Sequence, residues 1–141
     1  TISCLTYIYQ SFSIERFFMK KILIFDESGF SHICSAILEL EGHKTEILKD
    51  VKDMLPKLKN KEFALIITSY PFGYFLFEEI KKLDLPIIIL TDHINRDFIS
   101  LLQDFGNSYS MIKPLDYKKF RSLVKNLLDR KSDIMDGHRI Y

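Results

Sequence analysis

Carboxylates, hydroxyls and one lysine occur at the ends of successive apolar segments of this chain. In chain order, these side chains belong to Asp26, Glu27, Ser69, Thr91 and Lys113. Adjacent carboxylates can bind a hard divalent cation such as Mg²⁺, whereas a hydroxyl and an ammonium group can contact a phosphoryl group. If the fold brings them together, these residue types therefore favour the binding of a metal ion or of a phosphoryl group.

The apolar segments have the pattern of strands. Residues 22–25, 64–68 and 87–90 are apolar on both faces, which is typical of central strands in a parallel sheet. Residues 44–48 alternate between polar and apolar and indicate a strand near an edge, and residues 110–112 form a short last strand. The site residues therefore belong to the carboxyl ends of the first, third, fourth and fifth strands.

Segments of helical period separate these strands. The predicted helices span about 28–41 with Ser28 as N-cap, 51–59, 74–83, 94–105 and 116–130. Apolar residues expected on their buried faces include Ile33, Leu55, Ile99 and Tyr117. Five strands that alternate with five helices predict an α/β, flavodoxin-like, doubly wound parallel sheet of order 2-1-3-4-5. Helices one and five are expected on one face, and the other three on the opposite face.

Four motifs in the same order resemble those of response-regulator receiver domains. They are "KKILIFDES", "ALIITS", "PIIILTD" and "GNSYSMIKP", and the resemblance covers residues 20–128. It implies that Asp26 and Glu27 are the metal-binding acid pair, that Ser69 occupies the phospho-accepting position, and that Thr91 is the switch hydroxyl. It also implies that Lys113 contacts phosphate and that the Lys113–Pro114 peptide is cis.

The chain departs from the receiver pattern at the acceptor and at the switch. Ser69 stands where the family has a nucleophilic aspartate, and a serine hydroxyl is a weak nucleophile without an adjacent base. Ser110 occupies the position of the family's rotating aromatic switch, and Tyr109 precedes it on the other face of the strand. Asp26 and Glu27 then have two interpretations, a weak Mg²⁺ site or carboxylates stabilised by Lys113 and the following helix.

These departures favour a pseudo-receiver, a non-enzymatic module of two-component signalling that acts by phosphorylation-independent protein interaction. One alternative is a receiver that still binds Mg²⁺ or a phosphoryl group through an unconventional acceptor, Ser69 or Asp92. Another is a small α/β enzyme or flavin-binding domain. The segment "DESGF" after the first strand argues against it, because it offers acids in place of the glycine-rich loop that binds an anionic cofactor. We expect no cofactor, apart from Mg²⁺ in the first alternative.

Charged residues on the last two predicted helices suggest an interface. The acids are Asp97 and Asp104, and the bases are Lys118, Lys119, Arg121 and Lys125. A homodimer or partner contact through helix four, strand five and helix five could pair acids with bases across a two-fold axis. The net charge of +1 argues against a general affinity for nucleic acid.

The length of 141 residues predicts one domain. We expect an N-terminal extension at residues 1–18, a receiver-like domain at 19–131 and a polar C-terminal tail at 132–141. Cys4 and Cys34 lack metal-ligand or CxxC spacing, so Cys34 is expected to be a reduced core thiol. We find no segment suited to span a bilayer and expect a cytoplasmic protein.

Overall fold

The computed structural model describes residues 20–59, 62–129 and 137–141, and a parallel sheet is its central layer. Its strands are β1 (Lys21–Phe25), β2 (Thr45–Ile47), β3 (Phe63–Tyr70), β4 (Ile87–Thr91), β5 (Asn107–Ile112) and β6 (Gly137–Ile140). They lie in the order β2-β1-β3-β4-β5-β6, and every neighbouring pair is parallel. The flavodoxin-like fold and the predicted order of the first five strands are confirmed.

Helices cover both faces of this sheet. They are α1 (Ser28–Leu40), α2 (Met54–Lys59), α3 (Phe77–Ile80), α4 (Arg96–Leu102) and α5 (Tyr117–Asp129). Short 3-10 turns at Val51–Asp53 and Tyr74–Leu76 lead into α2 and α3. None of the helices in the described part of the chain is long and apolar enough to cross a membrane.

Side-chain alternation along the strands builds two separate cores. Ile24 of β1 packs with Cys34 of α1 and Phe120 of α5, whereas the adjacent Phe25 packs in the opposite core. That second core contains Met54 of α2, Phe77 of α3 and Phe98 of α4. Because successive strand residues point to opposite faces, a run of consecutive apolar residues supplies both layers. The predicted placement of the helices, one and five against two, three and four, is confirmed.

Several helix ends and faces differ from the prediction. Ser28 is the first residue of α1, and Glu27 occupies the N-cap position without a side-chain cap. The predicted helix 74–83 contains only the four-residue α3 after its 3-10 turn. Four residues expected inside are substantially exposed, namely Ile33, Leu55, Ile99 and Tyr117. Their helices bury a narrower stripe than the helical period alone suggested, as in α2, where Met54 and Leu58 reach the core.

The C-terminal residues correct the prediction of a polar tail. Gly137–Ile140 forms β6, whose residues pair with β5 from Asn107 to Ser110. The amide of Tyr141 extends this pairing by donating to the carbonyl oxygen of Ser110 at 2.8 Å. Within the polar tail predicted at residues 132–141, the residues of β6 therefore belong to the sheet. The N-terminal extension predicted at residues 1–18 lies outside the described residues.

Gly73 lets the loop after β3 pack closely on that strand. Its amide donates to the carbonyl oxygen of Ser69 at 2.7 Å. A Cβ atom at this position would lie 2.9 Å from the same oxygen and closer still to the hydroxyl of Thr68, which is fully buried. Both neighbours belong to the strand that carries Ser69, so the loop has little freedom to withdraw without moving the site.

We therefore expect Gly73→Ala to lower the free energy of unfolding by about 1–3 kcal/mol, the usual cost of overpacking. Urea titration measures this loss. Gly29→Ala is the control, because nothing lies within 4 Å of the added atom and alanine favours the helix that contains it. Equal unfolding midpoints for Gly73→Ala and the unmodified chain would contradict the close packing of this loop.

Candidate functional site

Asp26 lies at the carboxyl end of β1 and is the centre of the site. Its side chain is fully buried, with 0% of its surface exposed. The hydroxyl of Ser69 donates to Asp26 Oδ1 at 2.6 Å, and the amide of Glu27 donates to the same oxygen at 2.7 Å. Ser69 itself lies within β3, which extends to Tyr70, instead of following the strand as predicted. A hydroxyl and an amide thus already bind the carboxylate.

Lys113 supplies the positive charge of the site. Its Nζ donates to Asp26 Oδ1 at 3.2 Å and lies 3.0 Å from Oδ2, which accepts no hydrogen bond of good geometry. The same ammonium group stacks on Phe30, 4.1 Å from the ring centroid. The Lys113–Pro114 peptide is cis, as predicted, and Tyr70–Pro71 is also cis. The buried carboxylate is therefore paired with a cation that is itself fixed by a ring.

The two candidate metal ligands, Glu27 and Asp26, differ in their surroundings. Glu27 is exposed, whereas Asp26 is buried and already accepts from three donors. Among the described residues, no group of three or more histidine, cysteine, aspartate or glutamate side chains could hold a metal ion. A cation bound at Asp26 Oδ1 would compete with the hydroxyl of Ser69 and the ammonium group of Lys113, whereas Oδ2 accepts no hydrogen bond of good geometry.

Thr91 ends β4 at the same edge of the sheet as the site, but its hydroxyl bonds elsewhere. Thr91 Oγ1 donates to the carbonyl oxygen of His93 at 3.0 Å and accepts from the His93 amide at 3.4 Å. The residue is buried at the end of β4, where it caps the loop that leads to α4. The fold thus brings Asp26, Ser69 and Lys113 into direct contact, while the hydroxyl of Thr91 bonds within its own loop.

The two residues predicted at the switch position, Tyr109 and Ser110, are both buried. Tyr109 packs in the core beneath α1 and α5, and its hydroxyl donates to Asn107 Oδ1 at 3.0 Å. Its ring lies 5.9 Å from that of Tyr141, beyond β6. Ser110 is fully buried on the opposite face of the strand. The aromatic ring of this strand is therefore held inside the protein by packing on both sides.

Two residues beside the site were not predicted to take part in it. Phe30 has an apolar side chain without a predicted role in the site, yet its ring carries the ammonium group of Lys113. Ser31 is fully buried and its hydroxyl donates to the backbone carbonyl of Asp26 at 2.7 Å. Both lie in the first turn of α1, directly after the acid pair, and that position is the signal that could have identified them.

Cys34 lies one turn further along α1 and is buried as predicted. Burial raises the pKa of its thiol to about 12, and the negative charge of Asp26 acts in the same direction. Because only the thiolate is a strong nucleophile, Cys34 is chemically inert near neutral pH. Cys4 lies outside the described residues.

The predicted interface residues do not share one surface. Asp97 and Asp104 line a groove of about 390 Å³ between α3 and α4, together with Glu78 and Lys81 of the α3 region. Arg121 of α5 lies 3.8 Å from Glu41, at the end of α1. Lys118, Lys119 and Lys125 are exposed on α5. Asp97 and Asp104 thus face the groove beside α3, and the outer edge of β5 is covered by β6.

No protein-family model and no curated protein sequence matches the chain. Solved structures do match it, among them a two-component response regulator from Clostridium difficile, with 23% identity and a TM-score of 0.69 over 81% of this chain and 99% of that one. A CheY-like receiver domain protein from Methanospirillum hungatei JF-1 has 25% identity and a TM-score of 0.66 over 79% of this chain and 94% of that one. The chemotaxis protein CheY4 from Vibrio cholerae has 19% identity and a TM-score of 0.66 over 77% of this chain and 98% of that one. The chain therefore has the fold of response-regulator receiver domains, across nearly their whole length.

Proposed function

We propose that this chain is a pseudo-receiver, a non-enzymatic module of two-component signalling that acts through protein contacts without being phosphorylated. The observation that carries the proposal is the hydrogen bond from Ser69 to Asp26. In the receiver pattern this position holds the carboxylate that accepts the phosphoryl group, whereas here a hydroxyl donates to the neighbouring carboxylate. The function proposed rests on the loss of that acceptor.

The geometry around Ser69 also opposes an unconventional phosphorylation of its hydroxyl. Ser69 is only 1% exposed, so a phosphodonor has little access to its oxygen. Asp26 receives the hydroxyl proton in a hydrogen bond, but its charge is balanced by Lys113 at 3.0 Å. A base that is already neutralised by a cation gives weak activation to a nucleophile. Ser69 is thus buried and hydrogen-bonded to a charge-balanced carboxylate, which supports a structural role for these residues.

The fixed position of Tyr109 supports an interaction that does not depend on phosphorylation. Its ring is buried and its hydroxyl is hydrogen-bonded, so a change of rotamer in response to an event at Asp26 would cost core packing and that bond. The surface offered to a protein partner or to a second copy is then constant. In the described chain this surface comprises α4, β6 and α5, because β6 has taken the outer edge of β5.

Incubation of the full chain with Mg²⁺ and a small phosphodonor tests the proposal. We expect intact mass spectrometry to find no added phosphoryl group, and thermal melting to be unchanged. A receiver domain that has an aspartate at the acceptor position serves as the positive control for the reagent. A phosphoryl group found on Ser69, or on the exposed Asp92 after β4, would support the unconventional acceptor instead.

A further inference from the structure

The outer edge of β6 is an unpaired strand edge within the described chain. The amide of Tyr141 points towards β5, where it donates to the carbonyl oxygen of Ser110. Backbone polar groups alternate in direction along a strand, so the N–H and C=O groups of Ile140 point away from the sheet. Such an edge is a template for a further strand.

The opposite edge of the sheet, at β2, is better protected. All three residues of β2 are half-buried, and Glu46 forms an ion pair with Lys57 at 2.9 Å. Lysines at positions 44 and 49 flank the strand, and charged residues are a common protection for sheet edges. By contrast, 47% of Ile140 and 46% of Tyr141 are exposed. The two edges therefore differ in accessibility, and β6 is the open one.

Apolar side chains surround this edge on the side of α4. Ile140 is in register with Ser110, and Ile112 lies two residues further along β5 on the same face. Ile99 lies on the flank of α4 opposite to Asp97 and Asp104, since the latter two face α3. All three isoleucines are more than a third exposed. This side of the edge can therefore take apolar side chains from an added strand.

Cationic side chains lie on the other side of the same edge. Arg139 is exposed and shares the face of Tyr109, which packs in the core beneath α5. Arg121 marks the flank of α5 that faces α1, through its contact with Glu41. Lys119 is two positions away, about 200° around the helix, and so lies on the flank nearer β6. This side of the edge therefore favours acidic side chains.

We propose that the β6 edge binds an extended segment of a partner protein that alternates apolar with acidic residues. The segment adds a seventh strand, with its apolar side chains over Ile99, Ile112 and Ile140 and its acids towards Arg139 and Lys119. A second copy of this chain is a poorer occupant, because it brings the cationic Arg139 and no acidic side chain in its own β6 to the cationic side of the edge. The inference rests on the proposed function, since it names the class of partner that the module binds.

A short acetylated and amidated peptide that alternates valine with glutamate is the probe. We expect it to bind the full chain, as measured by isothermal titration, and to be weakened at least about tenfold by Ile140→Pro. Proline removes the outward N–H group but leaves the inward bond of Tyr141 in place. Ile140→Val is the matched control, because it keeps that N–H group and a β-branched side chain.

A charge exchange keeps the inference testable if proline disturbs β6. Arg139→Glu should reverse the preference, so that a valine–lysine peptide binds better than the valine–glutamate peptide. Hydrogen exchange at the Tyr141 amide shows whether β6 stays paired in each variant.

The inference is overturned if the peptide does not bind. It is also overturned if Ile140→Pro and Arg139→Glu leave peptide binding unchanged while β6 stays paired. A dimer of the unmodified chain that Ile140→Pro dissociates overturns it as well. None of these results depends on the phosphodonor experiment. A failure of this inference can therefore be distinguished from a failure of the proposed function.

Discussion

Lys113→Met is expected to lower the free energy of unfolding by about 3 kcal/mol, as is typical when one partner of a buried ion pair is removed. The carboxylate of Asp26 would remain fully buried while losing the ammonium group 3.0 Å away. The hydroxyl of Ser69 and the amide of Glu27 would still donate to it, but neither carries a charge. Urea titration followed by circular dichroism measures the loss.

The chain contains a matched control for this substitution. Lys57 and Glu46 form an ion pair of similar length, 2.9 Å, but about a third of each side chain is exposed. Lys57→Met should therefore cost no more than about 1 kcal/mol. The double variant Asp26→Asn with Lys113→Met should recover much of the lost stability, because both charges are then absent. Equal costs for Lys113→Met and Lys57→Met would contradict a buried, charge-balanced site.

The contact among Asp26, Ser69 and Lys113 could be predicted from sequence although the residues are far apart in it. Asp26 and Ser69 each follow an apolar run typical of a central strand, and Lys113 follows the predicted short last strand. Parallel strands bring their carboxyl ends to one edge. The pattern places a residue at this edge but does not show which partner its side chain binds. The hydroxyl of Thr91, at the same edge, bonds within its own loop, and the sequence could not predict this.

The last strand could not be predicted from its own residues. Gly137–Ile140 has the sequence GHRI, without an apolar run or a clear alternation, and its pairing comes from the edge of β5. Edge strands have one partner and little burial, so local pattern is weak where tertiary pairing decides. The polar composition that suggested a tail is equally suited to a strand at the border of a sheet.

The neighbour that Asp97 and Asp104 face could also not be predicted from the sequence. Helical period shows that Asp97 and Asp104 lie on one flank, seven residues apart, but it does not say which neighbour that flank faces. The neighbour is the short α3, which lines the same groove through Phe77 and Glu78. The pairing of these acids with the bases of α5 across a two-fold axis stays a prediction, because it concerns two copies of the chain.

Ser69→Asp should have two opposite effects on stability, depending on Mg²⁺. Without the cation, the added carboxylate lies beside Asp26 in a buried site that contains one lysine, and we expect a loss of about 3 kcal/mol. With Mg²⁺, a third carboxylate joins Asp26 and Glu27 and completes a set of hard oxygen ligands. Binding of the cation to the folded state should then restore about 2.7 kcal/mol at a hundredfold excess over its dissociation constant.

Ser69→Ala separates the loss of the hydroxyl from the gain of a charge. It should cost about 2 kcal/mol, the typical value for a hydrogen bond to a charged group, and it should not respond to Mg²⁺. Thermal melting of the unmodified chain, Ser69→Ala and Ser69→Asp, each with and without Mg²⁺, measures all three effects. Only Ser69→Asp should be stabilised by the cation, because Lys113 alone balances Asp26 in the other two proteins. Equal stabilisation of the unmodified chain by Mg²⁺ would mean that the two remaining acids suffice for a metal site, and the proposed inert pocket would be wrong.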